Sequence, residues 1–186
     1  GWVVSAFFVG IAGLFENLTI YFLLGTGVLG LLSFQNLPML IPPKESIGNW
    51  TFFERVLLAV LTVAVVVDLL EGFAPPTDAD SLAYHFALPK YFIEQGRLLF
   101  VERALDGAIP LLNQMTYIPV LALGGEKGMT LWVMISGWAT TALLFLICRR
   151  YLDRTWSLAV AVIFFTAPIV AIGGGSGQVE VRNAMF

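Results

Sequence analysis

Charge is scarce in this chain. Of its 186 residues, 12% are Asp, Glu, Lys or Arg, against 58% hydrophobic, and the mean hydropathy is +0.84. A soluble domain is about a quarter charged. So few charges do not cover a water-facing surface, and the composition points to an integral membrane protein. Cysteine is nearly absent too. Cys148 stands alone, which excludes an intrachain disulfide and a cysteine-based metal cluster. In "LICRR" it reads as a small apolar filler at the end of a span. Basic runs and zinc-type spacings are missing and the net charge is only −3, so nucleic acid is excluded as a partner. Internal repeats and low-complexity segments are not apparent. A basic n-region and a small-residue cleavage site are also missing at the start, so the first apolar run is not read as a signal peptide. The chain opens at Gly1 and stops at Phe186 in a run that is again turning apolar. The expectation is a piece of a longer protein.

What is present is a series of apolar runs. A membrane span takes about 20 mostly apolar residues. Residues 1–33 are apolar except at "FENLT", and as one helix they would run to about 50 Å, too long for a single crossing. Two spans, 1–15 and 17–33, are expected instead. "FQNLPMLIPPKESIGNWTFFE" (34–54) reads as a loop. Further spans are expected at 55–74, 128–148 and 155–173, the last two joined by the tight "RRYLDR" turn. Residues 75–127 hold ten of the charged residues and read as one large extramembrane loop. The expected fold is therefore all-α: a polytopic transmembrane helix bundle, a single domain over 1–186, with short interfacial helices in its large outer loop.

Lysine and arginine in short loops set sidedness. Lys44 and Arg55 flank one loop; Arg149, Arg150 and Arg154 lie in another. Two spans separate them, so both fall on the cytoplasmic side. The 75–127 loop and the segment after residue 173 then fall outside. In the loop, "DSLAYHFALPKYFIEQG" has helical periodicity. Pro89 interrupts or restarts that helix and Gly96 is its expected C-terminal cap. "IPLLNQMTYIPVLALGG" reads as a second short helix. Tyr84, Phe86, Tyr91, Phe92 and Tyr117 are expected at headgroup depth.

Chemistry concentrates in "PPTDADSLAYH" (75–85), which holds two aspartates, a tyrosine and the sole histidine. The same letters describe a helix start, with Thr77 or Asp78 as N-cap and acids in the first turn. On a helix Asp80 shares a face with Tyr84, and Ser81 with His85. An acid retained beside the bilayer is costly and points to use. Asp68 and Glu71, one turn apart near the end of their span, read as reaching the interface. Glu180, after a glycine-rich exit, is a second candidate acid on the same side as Asp80. Arg182 is placed to pair with it or to bind phosphate. "GGGSG" lacks the Lys-Ser/Thr that completes a phosphate loop.

A span, then "PPTDADSLAYHFALPKYFIEQG", a second amphipathic segment, two spans joined by a basic hairpin, and "TAPIV" leading to an outer acid: over residues 55–186 this arrangement resembles the N-terminal half of the polytopic GT-C class of bacterial membrane glycosyltransferases. These are relatives of the dolichyl-phosphate-mannose protein mannosyltransferases and the aminoarabinose lipid A transferases. "D-S-L-x-Y-H" followed by "P-K-Y" carries most of the likeness. The resemblance implies an enzyme of the bacterial inner membrane that moves a sugar from a polyprenyl-phosphate donor to an acceptor on the outer face. It implies Asp80 as first-loop catalytic acid and Glu180 as second-loop acid. Asp78 is then a secondary catalytic or metal residue, since some members use a D-x-D-like pair with a divalent metal (Mg or Mn) and others use no metal. Tyr84, His85, Lys90 and Arg182 become substrate-binding residues. The chain departs from the class where an aspartate is expected and Glu180-Val-Arg182 stands. Two other readings stay open: a non-catalytic subunit or scaffold held by partner subunits of a membrane complex, and a transporter subunit using Asp68, Glu71 and Glu180.

Overall fold

The computed structural model describes residues 8–13, 21, 25, 49–75, 77, 79–102 and 113–175. Of the expected spans 1–15 and 17–33, residues 8–13, 21 and 25 are among these, while Asp78, Glu180 and Arg182 lie outside them. The described residues are helical, and no strand occurs among them. Helix α1 covers Phe52–Gly72, starting three residues before the expected span. Its start is a reciprocal cap. The Thr51 hydroxyl accepts from the Glu54 N–H at 3.2 Å, and the Thr51 N–H donates to Glu54 Oε2 at 2.8 Å. A short π-turn, Ser81–His85, leads into α2, Ala87–Gln95. Gly96 ends α2 in the left-handed region (φ 67°), as the sequence predicts. Pro89 falls in the first turn of α2, where a missing N–H costs little.

A 3₁₀ turn, Asn113–Thr116, opens directly into α3, Tyr117–Cys148. Gly125 breaks α3, with φ 61° and ψ −157°, a backbone region that only glycine occupies readily. Residues 117–124 are thereby set apart from 126–148. The second part is about 35 Å long at 1.5 Å per residue. Helix α4, Arg154–Thr166, begins under an Asp153 cap, whose carboxylate accepts from the Trp156 N–H at 2.9 Å. The expected span 155–173 is not continuous. Ala167 is extended (ψ 132°) and α5, Pro168–Gly175, starts afresh. The cause is local, because the Pro168 ring drives the preceding residue out of the helical region.

Helices α1, α3, α4 and α5 pack on one another, and α2 packs on α3. Asp68 meets Trp138 and Gly72 meets Met134, so α1 and α3 run antiparallel. A Cβ at Gly72 would overlap the Met134 side chain, and glycine is what lets the two helices approach there. At the opposite end, Glu54 of α1 holds Arg154 of α4. The turn before α1 and the 149–153 turn therefore share one end of the bundle, with the 75–102 segment leaving from the other.

Burial is inverted on α1. Its buried residues are Glu54, Asp68 and Gly72, while Val63, Val67 and Leu70 are exposed. On the other helices small and hydroxyl side chains are buried beside larger apolar ones: Ser136, Gly137, Thr140 and Thr141 with Val133 and Met134 on α3, Ser157 and Ala161 with Leu158 and Phe165 on α4. Several of these hydroxyls donate to a carbonyl one turn back, as Thr140 does to Ser136 at 2.8 Å, so they are satisfied within their own helix. Among the described residues one helix, Gln114–Cys148, is long and apolar enough to cross a membrane.

Candidate functional site

The loop segments are anchored by apolar burial rather than left on the surface. Leu88 and Phe92 of α2 pack with Met115 and Ile118, and Phe86 packs with Tyr117, Met129 and Val133 of α3. Phe86 and Tyr117 meet edge to face at 5.5 Å. The N-terminal residues join in, with the Leu98 N–H donating to the Gly10 carbonyl at 2.9 Å. Of the five aromatics expected at headgroup depth, Phe86, Phe92 and Tyr117 are instead buried in this core. Their apolar area ties the loop to α3, which an interfacial position would not do.

On this base sits the turn that carries the acid. Asp80 is helical (φ −69°, ψ −38°), and its side chain makes no capping hydrogen bond. The carboxylate is exposed, whereas Ser81 and His85 are buried and Tyr84 lies between. Ser81 and His85 share the buried side, in keeping with their i,i+4 spacing, whereas Tyr84 does not share the exposure of Asp80. The geometry is a π-turn: the Phe86 N–H donates to the Ser81 carbonyl, five residues back, at 3.0 Å. Such turns are rare and recur at functional sites. His85 is 3% exposed and Gln114 5%. The Gln114 amide nitrogen lies 2.9 Å from Nδ1 of His85, and the Tyr84 ring stands 4.1 Å from the imidazole, centroid to centroid. Gln114 belongs to the 3₁₀ turn before α3, and its neighbour Thr116 accepts from Trp132 Nε1 at 3.1 Å.

Lys90, on the exposed side of α2, donates to Glu126 Oε1 at 3.0 Å. That contact links α2 to the first residue after the Gly125 break, and it holds the Lys90 ammonium above the usual lysine range, with the Glu126 hydrogen bond as main cause. The structure thus brings together Tyr84 and His85, keeps Lys90 close by in sequence but paired, and leaves Asp80 facing outward. Asp78, Glu180 and Arg182 lie outside the described residues. Among those residues, no group of three or more His, Cys, Asp or Glu side chains converges on a point that would hold a metal ion.

Two contacts escape a reading of the sequence. Nothing in "LLNQMTY" marks Gln114 as the partner of a histidine 29 residues away. Asp68 is buried (7% exposed) and accepts from Trp138 Nε1 at 2.6 Å, where the sequence reading lets it reach the interface. The indole N–H supplies the donor that a buried carboxyl requires. The Glu54 contact did carry a signal, the Thr51-x-x-Glu54 spacing of a capping box. Compared with known proteins, the chain matches no family model, no curated protein and no solved structure.

Proposed function

We propose that the chain is part of a polytopic membrane glycosyltransferase that moves a sugar from a polyprenyl-phosphate donor to an acceptor at the bilayer edge. Membrane insertion through several helices is supported by the inverted burial of α1 and by the small-residue contacts of α3 and α4, the packing used where lipid replaces water. The observation that carries the catalytic reading is the exposure of Asp80. Its carboxylate is neither a cap nor an ion-pair partner in any described contact, and it stands at the start of a well-anchored segment eight residues beyond the end of α1. An acid that does no structural work beside the bilayer is available for chemistry.

In this reading Asp80 takes the proton from an acceptor hydroxyl or amine. The acceptor atom bonds to the anomeric carbon as the carbon–oxygen bond to phosphate breaks. The electron pair leaves with the polyprenyl phosphate, and attack opposite the phosphate inverts the carbon. Lys90 and Arg182 are the cations for the leaving phosphate, and Glu180 is the second acid. The donor tail lies among the helices, and the loop faces the periplasmic side of a bacterial inner membrane.

Transfer from a pool of polyprenyl-phosphate sugars, by the full-length protein in lipid, tests the reading. Asp80→Asn is expected to abolish transfer while the fold is kept. Equal transfer by both proteins would take the catalytic role from Asp80, and no transfer by the wild type from any donor would leave a non-catalytic membrane subunit. One observation favours the transporter reading, the Asp68 carboxyl buried between α1 and α3. It predicts that Asp68→Asn, and not Asp80→Asn, removes function.

A further inference from the structure

We propose that the buried His85–Gln114 pair is the positioning device for Asp80, pinning the turn that carries the carboxylate to the second loop segment. The catalytic half of this inference rests on the transferase reading above; the pinning does not. Three observations meet at the pair. Both side chains are more than nine-tenths buried, and their contact joins residues 29 apart at 2.9 Å. Each end sits on a non-α turn: the π-turn Ser81–His85, closed from Phe86 to Ser81, and the 3₁₀ turn Asn113–Thr116. A π-turn fits one more residue into its circuit than an α-turn does. Along this turn Ser81 and His85 face inward together while Asp80 stays outward. A lone π-turn has little intrinsic stability, so a tertiary contact must hold it. Two buried apolar side chains would hold it without the desolvation cost of two polar ones. The polar pair adds direction: it fixes the imidazole in one orientation, and with it the turn.

With the Gln114 amide nitrogen facing the ring, it donates, Nδ1 of His85 accepts and the ring proton sits on Nε2, a tautomer that the spectra below test. His85 is then a positioning residue and Asp80 the base. A positioning role needs the bond, whichever partner donates. Gln114→Leu removes the bond. Gln114→Glu keeps it with the donor reversed, Nδ1–H to carboxylate.

His85 is the only histidine and Cys148 the only cysteine, which makes the test clean. In the full-length protein in lipid nanodiscs, imidazole ¹⁵N spectra near pH 8 read the tautomer of this one ring, provided that any remaining histidines outside this chain are replaced. The wild type is expected to show an unprotonated, hydrogen-bonded Nδ1 and a protonated Nε2. Gln114→Leu mixes the tautomers, and Gln114→Glu moves the proton to Nδ1. A nitroxide on Asp80→Cys, in a background free of other cysteines, reads the turn itself. Gln114→Leu should sharpen its spectrum and Gln114→Glu should not. Transfer assays complete the set. Gln114→Leu is expected to lower kcat by about 10- to 100-fold, the scale of a misplaced catalytic group, and Gln114→Glu to restore most of it.

An unchanged nitroxide spectrum in Gln114→Leu overturns the inference, whatever the activity. Loss of transfer in Gln114→Glu as deep as in Gln114→Leu also overturns it, by making His85 a chemical participant. If Gln114→Leu frees the turn while the wild type transfers nothing, the pinning stands and the transferase reading falls; if Asp80→Asn transfers normally, the pinning stands and Asp80 is not the base.

Discussion

Arg154 forks onto Glu54 across 100 residues of sequence. Its Nε donates to Oε1 at 2.9 Å and its Nη2 to Oε2 at 2.8 Å. The same carboxylate accepts from the Thr51 N–H and the Thr155 hydroxyl, and the guanidinium lies over the Trp50 ring at 4.7 Å. A two-pronged pair of this kind fixes orientation as well as proximity. It clamps the starts of α1 and α4 together.

The clamp sets a pH dependence. The Arg154 hydrogen bonds, then the Thr51 N–H, hold the Glu54 carboxyl at about 2 against an ordinary 4.5. A lowered acid stabilises the fold above its unfolded value, and that contribution is lost as pH falls toward the folded one. Thermal unfolding of the detergent-solubilised protein should weaken between about pH 4.5 and 2. Glu54→Gln should remove that part of the slope and lower stability at pH 7. A wild-type slope shared by the variant would show that other carboxylates set it.

Asp68 and Trp138 make the second test. Trp138→Phe leaves a buried carboxyl without its donor, at a cost of about 1–3 kcal/mol. Asp68→Leu combined with Trp138→Phe should recover most of that loss, since both polar partners are then gone. Unfolding midpoints of the two singles and the double give the coupling. Additive losses would mean that the 2.6 Å contact contributes little.

Gly125 should not tolerate a side chain. At φ 61° and ψ −157°, Gly125→Ala is expected to cost about 1–3 kcal/mol. Gly124→Ala, next to it and without positive φ or close neighbours, should be neutral or gain helix propensity. The contrast between the two isolates backbone strain from any general effect of added bulk.

Lys90 separates stability from function. Its pair with Glu126 is half-exposed, and such pairs contribute at most about 1 kcal/mol. Lys90→Ala should leave the unfolding midpoint nearly unchanged. Under the transferase reading it should raise KM for the anionic donor. Glu126→Gln, which frees the ammonium, should not raise it. A large stability loss in Lys90→Ala would assign the lysine to the fold instead.

Much of the frame is legible in the letters because helices are written locally. Long apolar runs mark α1 and α3, Thr51-x-x-Glu54 writes the start of α1, and Gly96 writes the end of α2. The pairing of Ser81 with His85 follows from spacing alone; that this pair turns inward while Asp80 stays outward is seen only in the packing. Pro168 was equally visible, yet an apolar run reads as one span until the backbone shows that Ala167 leaves the helix. Phe86, Phe92 and Tyr117 were misjudged for a different reason: an aromatic suits an interface and a core alike, and only packing decides.

The sequence by itself determined the all-helical class, most of the described helices and the stretch where the polar chemistry collects, since composition and periodicity need only near neighbours. Tertiary structure decided the partners. Asp68 with Trp138, Glu54 with Arg154 and His85 with Gln114 are 70, 100 and 29 residues apart. No local rule couples such positions. Each pair exists because a polar group buried on packing must find its complement among whatever the fold brings within reach.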